Sequence, residues 1–96
     1  MTLHELRTSR RDAILLAATR RGALNVRVFG SVARGQSDEL SDVDFLVDLA
    51  PGSSLLDLCA LQRDLELLLA SKVDVVSSRG LRDGVKEMVL RDAVPL

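Results

Sequence analysis

The sequence has few aromatic residues, a single cysteine and no long hydrophobic run. Its two aromatic residues are Phe29 and Phe45, and tryptophan and tyrosine are absent, so there is no platform on which single-stranded bases stack. Cys59 has no partner for an internal disulfide, which is typical of proteins of the reducing cytoplasm. The apolar runs fall short of the roughly 20 residues that span a membrane, and the N-terminus is too polar for a secretory signal. A disulfide scaffold, a zinc finger and a membrane protein are therefore excluded, and we expect a cytoplasmic protein.

The length of 96 residues is enough for one hydrophobic core of modest size and not for two. Hydrophobic residues make up 47% of the chain and charged residues 28%, the ordinary balance of a soluble globular domain. The sequence contains no internal repeat, no low-complexity tract and no linker. We therefore expect residues 1–96 to form a single domain.

Charge is distributed unevenly along the chain. Residues 1–34 carry seven arginines against Glu5 and Asp12, a net charge of +5, whereas residues 35–96 carry a net charge of −6. This asymmetry is compatible with an anion site or a polar association surface in the first third. It is equally compatible with two helices whose solvent-exposed faces carry charges of different sign. Because the isoelectric point of about 5.7 is not basic, we do not expect a general nucleic-acid-binding protein.

The hydrophobic pattern predicts six secondary-structure elements in the order α-β-β-α-β-α. Helical spacing of apolar residues indicates helices over about 2–21, over a stripe from 55 to 69 that Ser53 or Ser54 can cap, and over about 81–93. Alternating or β-branched runs indicate strands at 25–29, 42–49 and 72–76. This order predicts an α/β (α+β) fold with a small mixed sheet flanked by helices.

Leucine is concentrated in the second predicted helix, which we expect to be buried on more than one side. The apolar stripe consists of Leu55, Leu58, Gln62, Leu65 and Leu69, and the leucines that widen it are Leu56, Leu61, Leu67 and Leu68. Cys59 is expected to be buried among these residues. In the last helix, Val85, Met88 and Val89 are expected to face the core, and Pro95 to end the helix.

A glycine-bounded turn, Gly30-Ser-Val-Ala-Arg-Gly, follows the first predicted strand. Glycine here lets backbone N–H groups approach an anion closely. The Ser31 hydroxyl adds a donor, and Arg34 has the forked geometry that holds phosphate. Taken alone, the pattern is typical of an ordinary turn. Residues Gly30 to Ser37 also approximate a P-loop, but Gln36 replaces the phosphate-binding lysine and no long helix follows, so we exclude a P-loop.

Asp42 and Asp44 lie two residues apart in the second predicted strand, so their side chains share one face. Two carboxylates this close are unfavourable unless one is protonated or a cation lies between them. Mg²⁺ commonly takes one or two carboxylates together with phosphate oxygens, whereas the alternative is an edge strand with an acidic solvent face. Asp74 interrupts a strand that looks buried. It is either a further metal ligand and proton acceptor or the ion-pair partner of Lys72 or an arginine.

A phosphate-binding turn and a carboxylate pair on consecutive strands suit a nucleoside triphosphate with bridging magnesium. In the combination of Gly30-Ser31, ten residues and Asp42-Val-Asp44, the sequence resembles the signature of minimal nucleotidyltransferases of the DNA polymerase beta-like superfamily. The stretches Phe29-Gly-Ser-Val-Ala-Arg-Gly and Ser41-Asp-Val-Asp-Phe-Leu-Val are similar to those of antitoxins encoded beside HEPN-domain toxins. The resemblance covers nearly the whole chain.

The resemblance implies a minimal nucleotidyltransferase fold and a reaction that moves AMP from ATP to a hydroxyl and releases pyrophosphate. In the antitoxin branch, the acceptor is a tyrosine of a HEPN-type RNase toxin, with which a hetero-oligomer is expected. Because this sequence contains no tyrosine, such an acceptor belongs to the partner. Two other functions remain open: a non-catalytic antitoxin that neutralises its toxin by complex formation, and an enzyme with a small-molecule or nucleic-acid acceptor.

The resemblance also implies roles for individual residues. The residues expected to bind the nucleotide are Gly30, Ser31, Arg34 and Ser41. Those expected to act in catalysis and to hold two Mg²⁺ ions are Asp42, Asp44 and Asp74. Of these, Asp74 joins one metal and helps to activate the acceptor, whereas Arg34 and Ser41 position phosphate and shape the loop.

Overall fold

The computed structural model describes residues 1–36, 38 and 41–96. The helices are α1 (Leu3–Arg7), α2 (Arg11–Arg20), α3 (Gly30–Ala33), α4 (Leu55–Leu69) and α5 (Asp83–Asp92), and a 3₁₀ turn lies at Ser78–Gly80. The strands are β1 (Ala23–Phe29), β2 (Val43–Leu49), β3 (Val73–Ser77) and β4 (Val94–Pro95). The predicted mixed sheet with flanking helices is confirmed. The structure adds a break in the first helix, the short helix α3 and the fourth strand.

The sheet has the strand order β3-β2-β1-β4. Strand β1 is antiparallel to β2 and β4, whereas β2 and β3 are parallel and are joined through α4, the crossover that parallel strands require. As a result, the C-terminal end of β1 and the N-terminal ends of β2 and β3 meet at one end of the sheet. The glycine turn and the three predicted site aspartates all belong to these strand ends.

The hydrophobic core lies between one face of the sheet and the helices α1, α2 and α4. Alternate residues of β2 point into it, and α4 supplies one leucine per turn over its second half. The buried residues of these two elements in the core are Val43, Phe45, Val47, Leu61, Leu65 and Leu69. Leu46 is also fully buried, on the opposite face of β2, so the face that carries Asp44 is partly covered and is not a purely acidic solvent face.

Residues 8–10 interrupt the helix predicted over 2–21. The Thr8 hydroxyl donates to the carbonyl of His4 (2.8 Å), and the Ser9 hydroxyl donates to that of Glu5 (3.3 Å). Such bonds compete with the helical backbone pattern, and Thr8 leaves the helical region at φ −111° and ψ −86°. Because Leu6 and Ile14 on either side of the break are both buried, the apolar spacing alone does not reveal it.

The prediction that α4 is buried on more than one side is wrong. This helix packs on β3 and α2, and no other described element covers its outer face. Three leucines expected to be buried are largely exposed: Leu55 (70%), Leu56 (81%) and Leu67 (79%). Cys59 is also exposed. With 15 residues, α4 is the longest described helix, and none in the described part of the chain is long and apolar enough to cross a membrane.

The C-terminal segment also differs from the prediction. In α5 only Val89 is buried, whereas Val85 and Met88 are 49% and 67% exposed, because the helix lies at the rim of the sheet and contacts only β1 and α3 closely. Pro95 does not simply end a helix but belongs to β4, an edge strand, where proline is tolerated. The Arg7 guanidinium holds this strand by donating twice to the Pro95 carbonyl (2.7 and 3.1 Å).

Ala70, the C-cap of α4, has a left-handed backbone (φ 50°, ψ 40°), which costs an L-residue about 1–2 kcal/mol. We expect Ala70→Gly to raise the free energy of unfolding by about 0.5–1 kcal/mol, because glycine adopts this conformation without strain. The matched control, Ala60→Gly inside α4, should lower it by about 1 kcal/mol. Urea denaturation measures both, and destabilisation by Ala70→Gly would contradict the assignment of strain to this residue.

Candidate active site

The chain turns sharply where β1 ends. Gly30 begins α3 with φ +75°, a left-handed backbone that glycine adopts readily. The Arg34 N–H donates to the Gly30 carbonyl (3.1 Å), and the Gln36 N–H donates to the Ser31 carbonyl (2.9 Å). Val32, which is 1% exposed, anchors the turn in the core. The glycine-bounded segment is therefore one tight helical turn fixed by its own backbone and by the core.

The Asp44 carboxylate lies directly against Gly30. The register of β1 and β2 pairs Phe29 with Asp44, which brings the aspartate beside the first residue of the turn. A Cβ on Gly30 would overlap Asp44 Oδ2 and would lie 3.3 Å from Asp44 Cγ. The missing side chain thus makes room for the carboxylate, in addition to allowing the positive φ.

The three predicted carboxylates gather at this end of the sheet. Asp42 directly precedes β2, and Asp44 is the register partner of Asp74 in β3, so their side chains project from the same face. Asp74 is exposed, contrary to the expectation of a buried acid. The reason is that β3 is an edge strand in which Val73 and Val75 take the buried face and leave Asp74 on the uncovered one.

Burial, together with the smaller effects of the negative charges of Asp74 and Asp42, raises the pKa of Asp44 to about 6. The positive charge of Arg34 acts in the opposite direction on the same pKa. The ionised form of Asp44 is therefore less favourable in the folded protein than in water. The two neighbouring acids are close enough for their charges to act on it, which the sequence predicts for Asp42 from the two-residue spacing.

The guanidinium of Arg34 is held on two sides. Its Nη1 lies 2.6 Å from Asp92 Oδ2, and its Nε donates to Gln36 Oε1 at 3.1 Å. Sequence reasoning predicts Arg34 as a phosphate ligand but does not predict either partner. Asp92 lies 58 residues further along the chain, at the end of a different helix, and no local pattern indicates the pair. The sequence hints at such a pair only through its uneven charge, with an excess of arginine in residues 1–34 and an excess of acidic residues in 35–96.

Ser41 orders the segment before β2. Its hydroxyl accepts from the Asp38 N–H (3.0 Å) and donates to Asp38 Oδ1 (3.2 Å), while the Ser41 N–H donates to the Asp38 carbonyl (3.2 Å). Ser41 thus bonds within its own segment, and its role in shaping a nucleotide-binding loop stays a prediction. Ser37, which the P-loop comparison used, lies outside the described residues, as do Glu39 and Leu40.

The donor chemistry of the three aspartates fits Mg²⁺, which prefers oxygen ligands. Among residues 1–36, 38 and 41–96, no three Asp, Glu, His or Cys side chains form a ready-made metal cage. Mg²⁺ does not need one, because it commonly binds one or two carboxylates and completes its shell with water and substrate phosphate. Lys72 Nζ lies 4.0 Å from Asp42 Oδ2, so this lysine approaches Asp42 and not Asp74, its expected alternative partner.

Gly30→Ala should lower the free energy of unfolding by about 2–4 kcal/mol, because the new methyl group meets both a left-handed backbone and the Asp44 carboxylate. Gly35→Ala is the matched control: it has a similar φ of +71° but no atom of the described residues within 4 Å of the added Cβ, so it should lose only about 1 kcal/mol. Urea denaturation compares them. In an Asp44→Ala background, the cost of Gly30→Ala should fall towards that of Gly35→Ala. An unchanged cost would show that the carboxylate is not the obstacle.

The raised pKa of Asp44 predicts a pH-dependent stability. Since the folded-state pKa of about 6 exceeds the ordinary value of 3.8, ionisation of Asp44 opposes folding increasingly as the pH rises between these values. Asp44→Asn should therefore raise the free energy of unfolding by on the order of 1 kcal/mol at about pH 7.5, a figure reduced for solvent screening at this partly exposed group. The gain should shrink at about pH 4. Asp12→Asn on α2 is the control, and an equal gain at both pH values would contradict the prediction.

Comparison with known proteins agrees with this geometry. The family model described as Nucleotidyltransferase domain matches residues 14–95. The protein adenylyltransferase MntA of Thermococcus cleftensis is 44% identical over 73 residues, which cover 76% of this chain and 74% of that protein. A solved structure called "putative minimal nucleotidyltransferase" is 52% identical, with a TM-score of 0.87 over 100% of this chain and 97% of the other.

A more distant structure shares the fold alone. A chain in a crystal structure of a toxin–antitoxin with AMP-PNP is 22% identical, with a TM-score of 0.76 over 88% of this chain and 69% of the other. The predicted minimal fold and the predicted class of enzyme are confirmed by the family match and the closer relatives. The chain belongs to the nucleotidyltransferase domain family.

Proposed function

We propose that this protein is a magnesium-dependent adenylyltransferase that moves AMP from ATP to a hydroxyl, a tyrosine, of a HEPN-type RNase toxin and so acts as its antitoxin. The observation that carries the proposal is the glycine turn packed directly against Asp44, beside Asp42 and Asp74. The name of the MntA relative supports a protein acceptor. The toxin–antitoxin structure with AMP-PNP supports the nucleotide and the type of partner. We assign the reaction to a single domain, residues 1–96, in the cytoplasm.

In this proposal, the turn binds the triphosphate. The backbone N–H groups and hydroxyl of Gly30-Ser31 contact phosphate oxygens, and glycine allows the close approach. The Arg34 guanidinium adds a charge-assisted contact. Ser41 keeps the segment before β2 in place, so that the phosphates lie beside both the turn and the carboxylates.

Asp42, Asp44 and Asp74 would hold two Mg²⁺ ions, which when bound neutralise charge on the carboxylates and on the triphosphate. The acceptor oxygen attacks the α-phosphorus, a new P–O bond forms, and the bond between the α-phosphorus and the α–β bridging oxygen breaks to release pyrophosphate. Asp74 takes the proton of the attacking hydroxyl. The raised pKa of Asp44 means that its ionised form gains more from a nearby cation than an ordinary carboxylate does.

The exposure of Asp74 suits an acceptor on another protein. A proton acceptor must lie within hydrogen-bond reach of the hydroxyl it serves, and a side chain on the uncovered edge of β3 can be reached from outside. Since the chain has no tyrosine of its own, a tyrosine acceptor has to come from the partner. This supports a partner protein rather than modification within the chain.

The test is transfer of label from α-labelled ATP with magnesium in a lysate of the source cells. We expect one labelled protein band with the wild type and with Asp12→Asn, and a loss of at least about 100-fold with Asp42→Asn/Asp44→Asn, since both proposed metal ligands are lost. Urea denaturation of the double variant checks that the loss is not caused by unfolding. Label in a small molecule or in RNA would support AMP transfer but would contradict the proposed protein partner.

A non-catalytic antitoxin is the alternative function, favoured by the exposed leucines of α4, which offer a binding surface without chemistry. The Asp42→Asn/Asp44→Asn variant separates the two functions when toxin and antitoxin are produced together in cells. Loss of protection with retained binding to the toxin supports AMP transfer. Full protection by the variant would favour neutralisation by complex formation.

A further inference from the structure

The ion pair between Arg34 and Asp92 joins the glycine turn to the last helix. Asp92 is the final residue of α5, and its Oδ2 lies 2.6 Å from Arg34 Nη1. On the other side, Gln36 Oε1 accepts from Arg34 Nε at 3.1 Å. Both carboxylate and guanidinium are partly exposed, at 31% and 45%, so a ligand in solvent can reach the pair.

Two contacts on a planar guanidinium fix its orientation. Arginine has five N–H donors in a rigid fork. Among contacts with described residues, Gln36 uses the donor on Nε and Asp92 uses one on Nη1, which leaves three donors, the second on Nη1 and both on Nη2. Without these contacts, the long side chain would sample many rotamers and would lose that freedom when it bound a ligand.

We propose that Asp92 is a positioning residue, which together with Gln36 holds the Arg34 guanidinium ready to bind nucleotide phosphate through its remaining N–H donors. The inference rests on the proposed function, in which Arg34 binds the triphosphate. It adds a role for a residue outside the turn and the carboxylate group. Asp92 itself touches neither nucleotide nor acceptor.

The sign of the effect of Asp92→Asn distinguishes positioning from simple electrostatics. If only charge mattered, removing a carboxylate near the site would strengthen the binding of anionic ATP. Positioning predicts the opposite, a rise of about three- to tenfold in the Kd for ATP with magnesium, because Arg34 loses its charged contact. Glu87→Gln, on the exposed surface of the same helix, is the charge-matched control and should not weaken binding.

A double-mutant cycle tests whether Asp92 acts through Arg34. Calorimetric titration with ATP and magnesium is carried out on the wild type, Asp92→Asn, Arg34→Ala and the double variant. We expect Asp92→Asn to cause no further loss of affinity once Arg34 is alanine, and Asp92→Glu to recover part of the affinity because it keeps the charge. Tighter or unchanged binding by Asp92→Asn, or additive losses in the double variant, would overturn the inference.

Two measurements keep the outcome interpretable. Urea denaturation checks that each variant is folded, and if Asp92→Asn is not, Gln36→Ala replaces it in the cycle because it removes the other contact. AMP transfer to the partner is measured separately. If the effects of the two substitutions on ATP binding are not additive but the protein transfers no AMP, the inference is supported and the proposed function is overturned. If the protein transfers AMP but the two effects are additive, only the inference is overturned. A wild type that binds no ATP overturns both.

Discussion

The close approach of the Asp44 carboxylate to Gly30 is the constraint on which the rest of the candidate site depends. Strand pairing places Asp44 opposite Phe29, and its Oδ2 occupies space that any side chain at position 30 would need. The neighbouring residues Val43 and Phe45 are fully buried on the other face, so the backbone of Asp44 cannot move away without shifting the core. Packing energy therefore keeps a carboxylate where burial and like charges make its ionised form unfavourable. A cation bound with phosphate would relieve that disadvantage.

The uneven charge along the sequence is largely balanced within the fold. Three arginines of the basic first third form ion pairs with acids of the later part: Arg21 with Asp64, Arg27 with Asp48, and Arg34 with Asp92. Arg7 and Arg11 donate instead to the backbone carbonyls of Pro95 and Leu96. These arginines therefore do not form a free basic surface, and the segregation in sequence reflects contacts between the two parts of the chain. Arg34 differs from the others because its pair lies at the candidate site.

Patterns along the chain predict the parts of the site that depend on sequence neighbours. The two-residue spacing predicts that Asp42 and Asp44 share a face, and the glycine predicts the turn. Parts that depend on which distant segments meet were not predictable. The exposure of Asp74 follows from the edge position of β3, and the role of Asp92 follows from a contact across 58 residues. Similarly, the spacing of the leucines in α4 indicates a helix, but it does not show whether another element covers the face that carries Leu56.

The element that reaches the candidate site from the end of the chain is also weakly buried. In α5, Val89 alone is buried, so its hydrophobic contribution is small compared with that of α4, which buries three leucines. Its position depends instead on the pair between Arg34 and Asp92, on the short pairing of β4 with β1 and on Arg7 at the Pro95 carbonyl. Exposed polar contacts of this kind contribute little each. It follows that the glycine turn is rigid because it is anchored in the core, whereas the orientation of its arginine depends on one of the least firmly held helices of the described structure.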